Sequence, residues 1–249
     1  MPLMDEFREE REAIKHGTLK QKLAYFFDYY KWHVVATVAA VSIVISLAVN
    51  IINQKETALY VCMLNSLSLD SEAYAAGFAE FAGIDLGTYD LIFDTNLSIQ
   101  EGELDQASVA TAQKLLVYIA AGQVDLMVTD NETLRIYTAN DYFCDLREFL
   151  TPEQLERYEP YLYYVDMKVV EERQEAMDRS DDSYVPSYPD PRKPEEMERP
   201  VPVGLYLDNS QNFRNNFFFM TDDVVLAVLQ NTAKPETVRQ FIDYVMVEP

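Results

Sequence analysis

The sequence predicts an α/β protein, with one N-terminal transmembrane helix followed by a mostly parallel sheet covered by helices on both faces. Three observations predict it. Residues 34–52 (VVATVAAVSIVISLAVNII) carry no charge. Beyond them, short apolar runs alternate with stretches of helical periodicity, the pattern of strand–helix–strand units. The charge is also divided sharply at the apolar run. Residues 1–33 hold six Lys/Arg and six Asp/Glu, whereas residues 53–249 hold 14 basic against 36 acidic side chains.

The apolar run comes first. As a helix, its 19 residues reach about 28 Å, close to the ~30 Å hydrocarbon core of a bilayer. Tyr30 and Trp32 stand at one end, where amphipathic aromatics favour the headgroup layer; Lys55 and Glu56 close the other. A cleaved signal peptide is the rival. The segment before the run is long, the run exceeds a usual signal core, and no A-x-A site follows, so an uncleaved signal anchor is expected. Lys15, Lys20, Lys22 and Lys31 precede the run and Lys55 alone lies close after it. The positive-inside bias then puts the N-terminus in the cytoplasm and residues 53–249 outside it. Leu23, Phe26, Phe27 and Tyr30 form an apolar stripe ahead of the span, readable as an interfacial segment or as an extension of the same helix.

After the anchor, 58–64 (ALYVCML) reads as a strand ending at Asn65-Ser66. A helix opens at Asp70, with Tyr74, Gly77, Phe78 and Phe81 at helical spacing, and stops at Gly83. Residues 89–93 form a second strand ending in Asp94-Thr95-Asn96. A helix over 105–121 should bury Val109, Ala112, Leu116, Ile119 and Ala120, with Gly122 as its stop. Residues 124–128 are a third strand, and Thr129 to Glu132 fits a capping box opening a short helix. Thr151-Pro152-Glu153-Gln154 is a second helix start. Runs 201–207 and 224–229 read as strands, and a last helix opens at Pro235 with Val238, Phe241, Ile242 and Val245 on one face. Residues 171–200 carry five prolines and many charges, which reads as a surface excursion or mobile loop, or alternatively a lid over a ligand.

The composition excludes several chemistries. His16 and His33 are the two histidines, both before the apolar run, so the outer region has no Ser–His–Asp or Cys–His nucleophile and no ordinary His-based zinc site. Seven glycines and no glycine-rich phosphate loop, with a net charge of −22, argue against nucleotide and nucleic-acid partners. Cys62 and Cys144 are either buried free thiols or, outside the cytoplasm, a disulfide. Asp94, Asp125, Asp130, Asp208, Asp222 and Asp223 are numerous enough to supply a hydrolytic carboxylate pair, but abundance is no signal in so acidic a chain. No enzyme, metal or cofactor is expected.

Ligands of open α/β sheets gather at the carboxyl ends of the strands. Four such ends carry short polar side chains: Asn65-Ser66, Asp94-Thr95-Asn96, Thr129-Asp130-Asn131 and Asp208-Asn209-Ser210. The same residue types serve as caps and turns. Their recurrence at four ends makes them the candidate ligand-binding set.

Residues 120–162 supply a resemblance. Gly122, Val124 and Asp125 lead into the Thr129–Asn131 loop, then a short helix and Tyr142-Phe143-Cys144-Asp145-Leu146. This segment resembles the first lobe of type 2 extracellular solute-binding proteins. Residues 227–245 (AVLQNTAKPETVRQFIDYV) look like that family's C-terminal strand, loop and helix, and 22–33 (KLAYFFDYYKWH) is similar to the juxtamembrane segment of single-pass proteins of clostridia-type Gram-positive bacteria. The resemblance implies a periplasmic-binding-protein-like (type 2) domain that captures a small ligand by lobe closure. It also implies an ABC-type transporter or other membrane protein as partner. The chain departs from the family in length, so the second lobe is expected to be reduced. The chain's single Trp, Trp32, lies at the anchor, so no Trp platform for sugars is available outside. A structural or interaction membrane protein without a small ligand, and a carboxylate hydrolase, are the alternatives.

Overall fold

The computed structural model describes residues 18–52, 55–98, 106–138, 142–181 and 183–246, with the side chains of 21–31, 50–52 and 106–107 outside the described set. The chain divides into two compact units, 1–54 and 55–249.

In the first unit, helix α1 (Leu19–Ile52) is unbroken over 34 residues, so the stretch holding Leu23 to Tyr30 belongs to the same helix as the apolar run and makes no separate interfacial turn. The side chains of that stripe lie outside the described residues. Trp32 to Val49 has a mean hydropathy of 2.2, and none of this window is buried against the protein. It is long and apolar enough to cross a membrane.

The second unit is built on a six-stranded sheet in the order β3-β1-β4-β8-β6-β5. The strands are β1 (Glu56–Leu64), β3 (Tyr89–Leu97), β4 (Leu126–Asp130), β5 (Leu162–Asp166), β6 (Pro200–Tyr206) and β8 (Val224–Val228). β1 pairs in parallel with β3 and β4; β8 runs antiparallel to β4 and β6, and β5 antiparallel to β6. Four strands therefore point one way and two the other. The reversals occur where the connection returns at the same edge. Met167 N–H, just past β5, donates to Arg199 C=O just before β6, and Leu207 N–H, just past β6, donates to Val224 C=O. A second, two-stranded antiparallel ribbon pairs β2 (Ser66–Ser68) with β7 (Phe217–Phe219).

β1 is central and buried on both sides, which is why its sequence is continuously apolar rather than alternating. Leu59, Val61 and Met63 face a core closed by α2 (Ser71–Ala82) and the C-terminal helix α9 (Pro235–Met246). Tyr60, Cys62 and Leu64 face a second core closed by α3 (Gln106–Ala120), α4 (Asn131–Thr138) and α7 (Met167–Asp178). In the first core, the buried Tyr74 ring of α2 meets Phe93, Phe213, Phe217, Phe241 and Tyr244 edge-on at 5.0–6.4 Å. Each such pair contributes about 0.5–1.5 kcal/mol beyond burial. Because Phe217 begins β7 and Phe213 lies in α8 (Gln211–Asn216), this cluster fastens the ribbon to the sheet.

Local signals explain the element ends. Asp70 caps α2 through Ala73 N–H, and Gly83 ends it at φ 68°, a conformation that costs glycine little. α6 (Pro152–Tyr158) starts where the sequence placed a helix start, and Thr151 and Gln154 close it with a reciprocal capping box. A short α5 (Leu146–Phe149) precedes it, capped by Asp145.

Several expectations are corrected. In α3 the buried positions are Ser108, Leu115 and Ile119, while Val109 and Leu116 are exposed and Ala120 faces out; the inward stripe is rotated by about one residue. Phe81 is 53% exposed because Phe78 and Ala79 take the inward positions of α2. The third strand is 126–130 rather than 124–128, and the second extends to Leu97. Residues 171–200 are not a single loop. α7 continues to Asp178, and the rest is a strap held against the sheet. Asp166 accepts from Glu198 N–H and Arg199 N–H, Pro191 C=O accepts from Tyr164 N–H, and the Arg192 guanidinium lies 3.5 Å over the Tyr206 ring.

Candidate functional site

The sheet places its own candidate site. The first three core strands, β1, β3 and β4, lie in the spatial order 2-1-3 and are parallel, so the chain crosses from one side of β1 to the other. A crevice opens at such a switch point, outside the carboxyl ends. A cleft of about 820 Å³ opens at these carboxyl ends.

Its floor comes from three strand ends. Asn65 and Ser66 follow β1, Thr95 and Asn96 end β3, and Asp130 ends β4. Glu132 and Thr133 of α4 add a polar side. The ribbon supplies an apolar wall through Leu67, Phe218 and Phe219, continued by Met220 and Thr221.

The backbone at each end is shaped for the position. Asn65 adopts φ 54°, which Asn tolerates better than most residues, and its N–H donates to Leu97 C=O at 2.9 Å. That turn aims β2 out of the sheet to begin the ribbon. Ser66 is 6% exposed and donates its hydroxyl to Met63 C=O. Asp130, not Thr129, caps α4: one oxygen accepts from Thr133 N–H at 2.8 Å, the other from Thr133 Oγ1 at 2.7 Å and Thr129 Oγ1 at 3.3 Å. Thr129 is wholly buried inside β4, one residue too early to act as the cap.

Asn65, Ser66, Thr95, Asn96 and Asp130 thus share one cleft. The other candidates lie elsewhere. Asp94 faces the second core, where Tyr60 Oη donates to it at 2.9 Å, Asn96 N–H at 3.0 Å and Lys114 Nζ at 3.3 Å. Burial alone would raise its pKa, but these donors and the Lys114 charge outweigh it and hold the carboxyl below the usual range. Burial, reinforced by Asp94, in turn pushes the Tyr60 phenol and the Cys62 thiol well up, so both stay protonated and inert at neutral pH. Asn131 N–H donates to Asp223 C=O, and Asn131 does not line the cleft. Asp208 pairs with Arg192 at 2.7 Å, Asn209 Nδ2 donates to Tyr161 Oη, and Ser210 Oγ donates to Val245 C=O. Asp208 thus holds the strap, Asn209 the turn before β5 and Ser210 helix α9 to the segment that follows β6.

The three other aspartates named as a possible hydrolytic pair each face a basic side chain. Asp125 is fully buried against Lys234, Asp223 shares the Arg192 guanidinium with Asp208, and Asp222 faces Arg214. Cys62 and Cys144 are free thiols, and burial raises Cys144 to about 11.

The ribbon wall escaped the sequence reading. Its signal was present, since FFFM (217–220) is an apolar run directly after α8, but a three-residue strand whose partner Leu67 lies 151 positions before Phe218 has no periodicity to read. No protein-family model matches the chain, and neither a curated protein nor a solved structure matches it.

Proposed function

We propose that the chain is a membrane-tethered, solute-binding-like module of the periplasmic-binding-protein (type 2) kind, capturing a small ligand in the cleft at the carboxyl edge of the sheet. The observation that carries this reading is the convergence of five polar residues from three separate strand ends on one cleft with an apolar wall. Polar groups fix a ligand's orientation and the apolar wall supplies binding energy, the usual division of labour in small-molecule sites. The β2–β7 ribbon is then what remains of a second lobe, and α1 is the anchor that holds the module at the outer membrane face. A transporter or other membrane protein would receive the ligand.

The exposed ribbon supports a second reading, an interaction protein with no small ligand. Leu67, Leu69, Phe218 and Met220 are 66%, 75%, 56% and 89% exposed, a surface that a protein partner would cover. Thermal unfolding of the full chain in neutral detergent, screened against amino acids, polyamines, sugars and metal ions, separates the two. A captured ligand at about a hundred times its Kd adds about 2.7 kcal/mol of stability and raises the melting temperature. No shift with any class, together with stoichiometric co-purification of a membrane protein, contradicts capture and supports docking.

A further inference from the structure

We infer that the ligand selected by this cleft is an organic cation with an apolar body, an ammonium or guanidinium rather than an anion. The inference rests on the capture reading and adds the ligand class. Among the described residues, the ionisable side chains lining the cleft are Asp130 and Glu132, and none of those lining it is Lys, Arg or His. Asp130 spends both oxygens on the cap of α4, yet its charge remains at the cleft. Glu132, exposed on the first turn of the same helix, makes no hydrogen bond or ion pair among the described residues, so its carboxylate is available to a ligand.

The rival is an anion at the start of α4, where backbone N–H groups favour negative charge. That position is already taken, since Thr133 N–H donates to Asp130 itself. A second anion there would meet two carboxylates and no counter-charge. The wider field points the same way. Residues 53–249 carry 36 acidic against 14 basic side chains, which raises the local concentration of cations and lowers that of anions. The exposed Leu67, Phe218 and Met220 wall then calls for an apolar body, and Thr95 and Asn96 offer neutral hydrogen-bonding groups.

The test is equilibrium dialysis of the full chain in neutral detergent with three probes of similar size: phenethylammonium, 2-phenylethanol and 3-phenylpropionate. The ammonium is expected to bind about tenfold tighter than the alcohol, as one hydrogen bond to a charged group supplies, with the carboxylate weakest. Glu132→Gln should weaken the ammonium more than the alcohol and so cut that advantage severalfold, the remainder being owed to the Asp130 charge. Raising salt from about 0.05 M to about 0.5 M should weaken only the ammonium. Phe218→Ser should weaken ammonium and alcohol alike. Equal or tighter binding of the alcohol or carboxylate, or a Glu132→Gln protein that keeps the ammonium preference undiminished, overturns the cation assignment and leaves capture standing. No binding of any probe overturns both.

Discussion

Asp125→Asn should destabilise the 55–249 unit without touching the cleft. Asp125 is 0% exposed. Its carboxylate accepts from Lys234 Nζ at 2.8 Å, Thr232 Oγ1 at 2.7 Å and Tyr60 N–H at 2.8 Å. These three donors tie the segment before α9 to β1. The amide would remove the negative charge, leave the Lys234 ammonium without its counter-ion, and turn one acceptor into a donor facing donors. Breaking a buried pair from one side costs about 3–5 kcal/mol. Lys234 is 27% exposed and retains some water, so the lower end applies. For a unit of this size, each kcal/mol moves the melting temperature by about 2–4 °C, giving a fall of roughly 6–12 °C. Lys234→Met should cost at least as much, because it leaves a wholly buried carboxylate with two neutral donors and no counter-charge. The assay is thermal unfolding in detergent followed by near-ultraviolet circular dichroism, with the double variant closing the cycle. A loss under about 1 kcal/mol for Asp125→Asn, or strict additivity in the double variant, would refute the reasoning.

Two further predictions follow from the same geometry. Burial would raise Asp166, but the N–H groups of Glu198, Lys168 and Arg199 hold its carboxyl below the usual range. A depressed folded pKa gives stability that is full above the unfolded value of about 3.9 and is lost as pH falls through the folded one. Asp166→Asn should therefore lower the melting temperature at neutral pH and flatten its decline on acidification; an unchanged acid limb contradicts this. Second, the full chain should resist alkaline carbonate extraction from membranes and dissolve in detergent, and protease outside intact cells should remove residues 55–249; release by carbonate alone contradicts the anchor.

Much of this architecture was legible in the sequence because local physics determines it. The apolar run, the Asp70 and Thr151 caps, Gly83 and the Pro235 helix each depend on neighbours within a few residues. The α3 stripe was misread by one position because Val109, Leu116 and Val117 give that helix apolar residues on two faces, and only the sheet decides which is buried. β5 was missed because Leu162–Asp166 mixes tyrosines with polar ends, and its strand character comes from pairing with β6. The candidate site was half legible. Strand ends could be named, but which of them meet depends on strand order. Asn65, Thr95 and Asp130 converge because β1, β3 and β4 are neighbours, whereas Asp208 ends a strand beyond β8 and is claimed by Arg192.

Hydrogen exchange of the full chain, read by mass spectrometry with and without saturating phenethylammonium, tests the cleft most directly. The account predicts slowed exchange confined to residues 65–68, 95–98, 130–133 and 218–221. Protection centred on the strap at 179–199 or on the exposed face of α3, with those four segments unchanged, would contradict it.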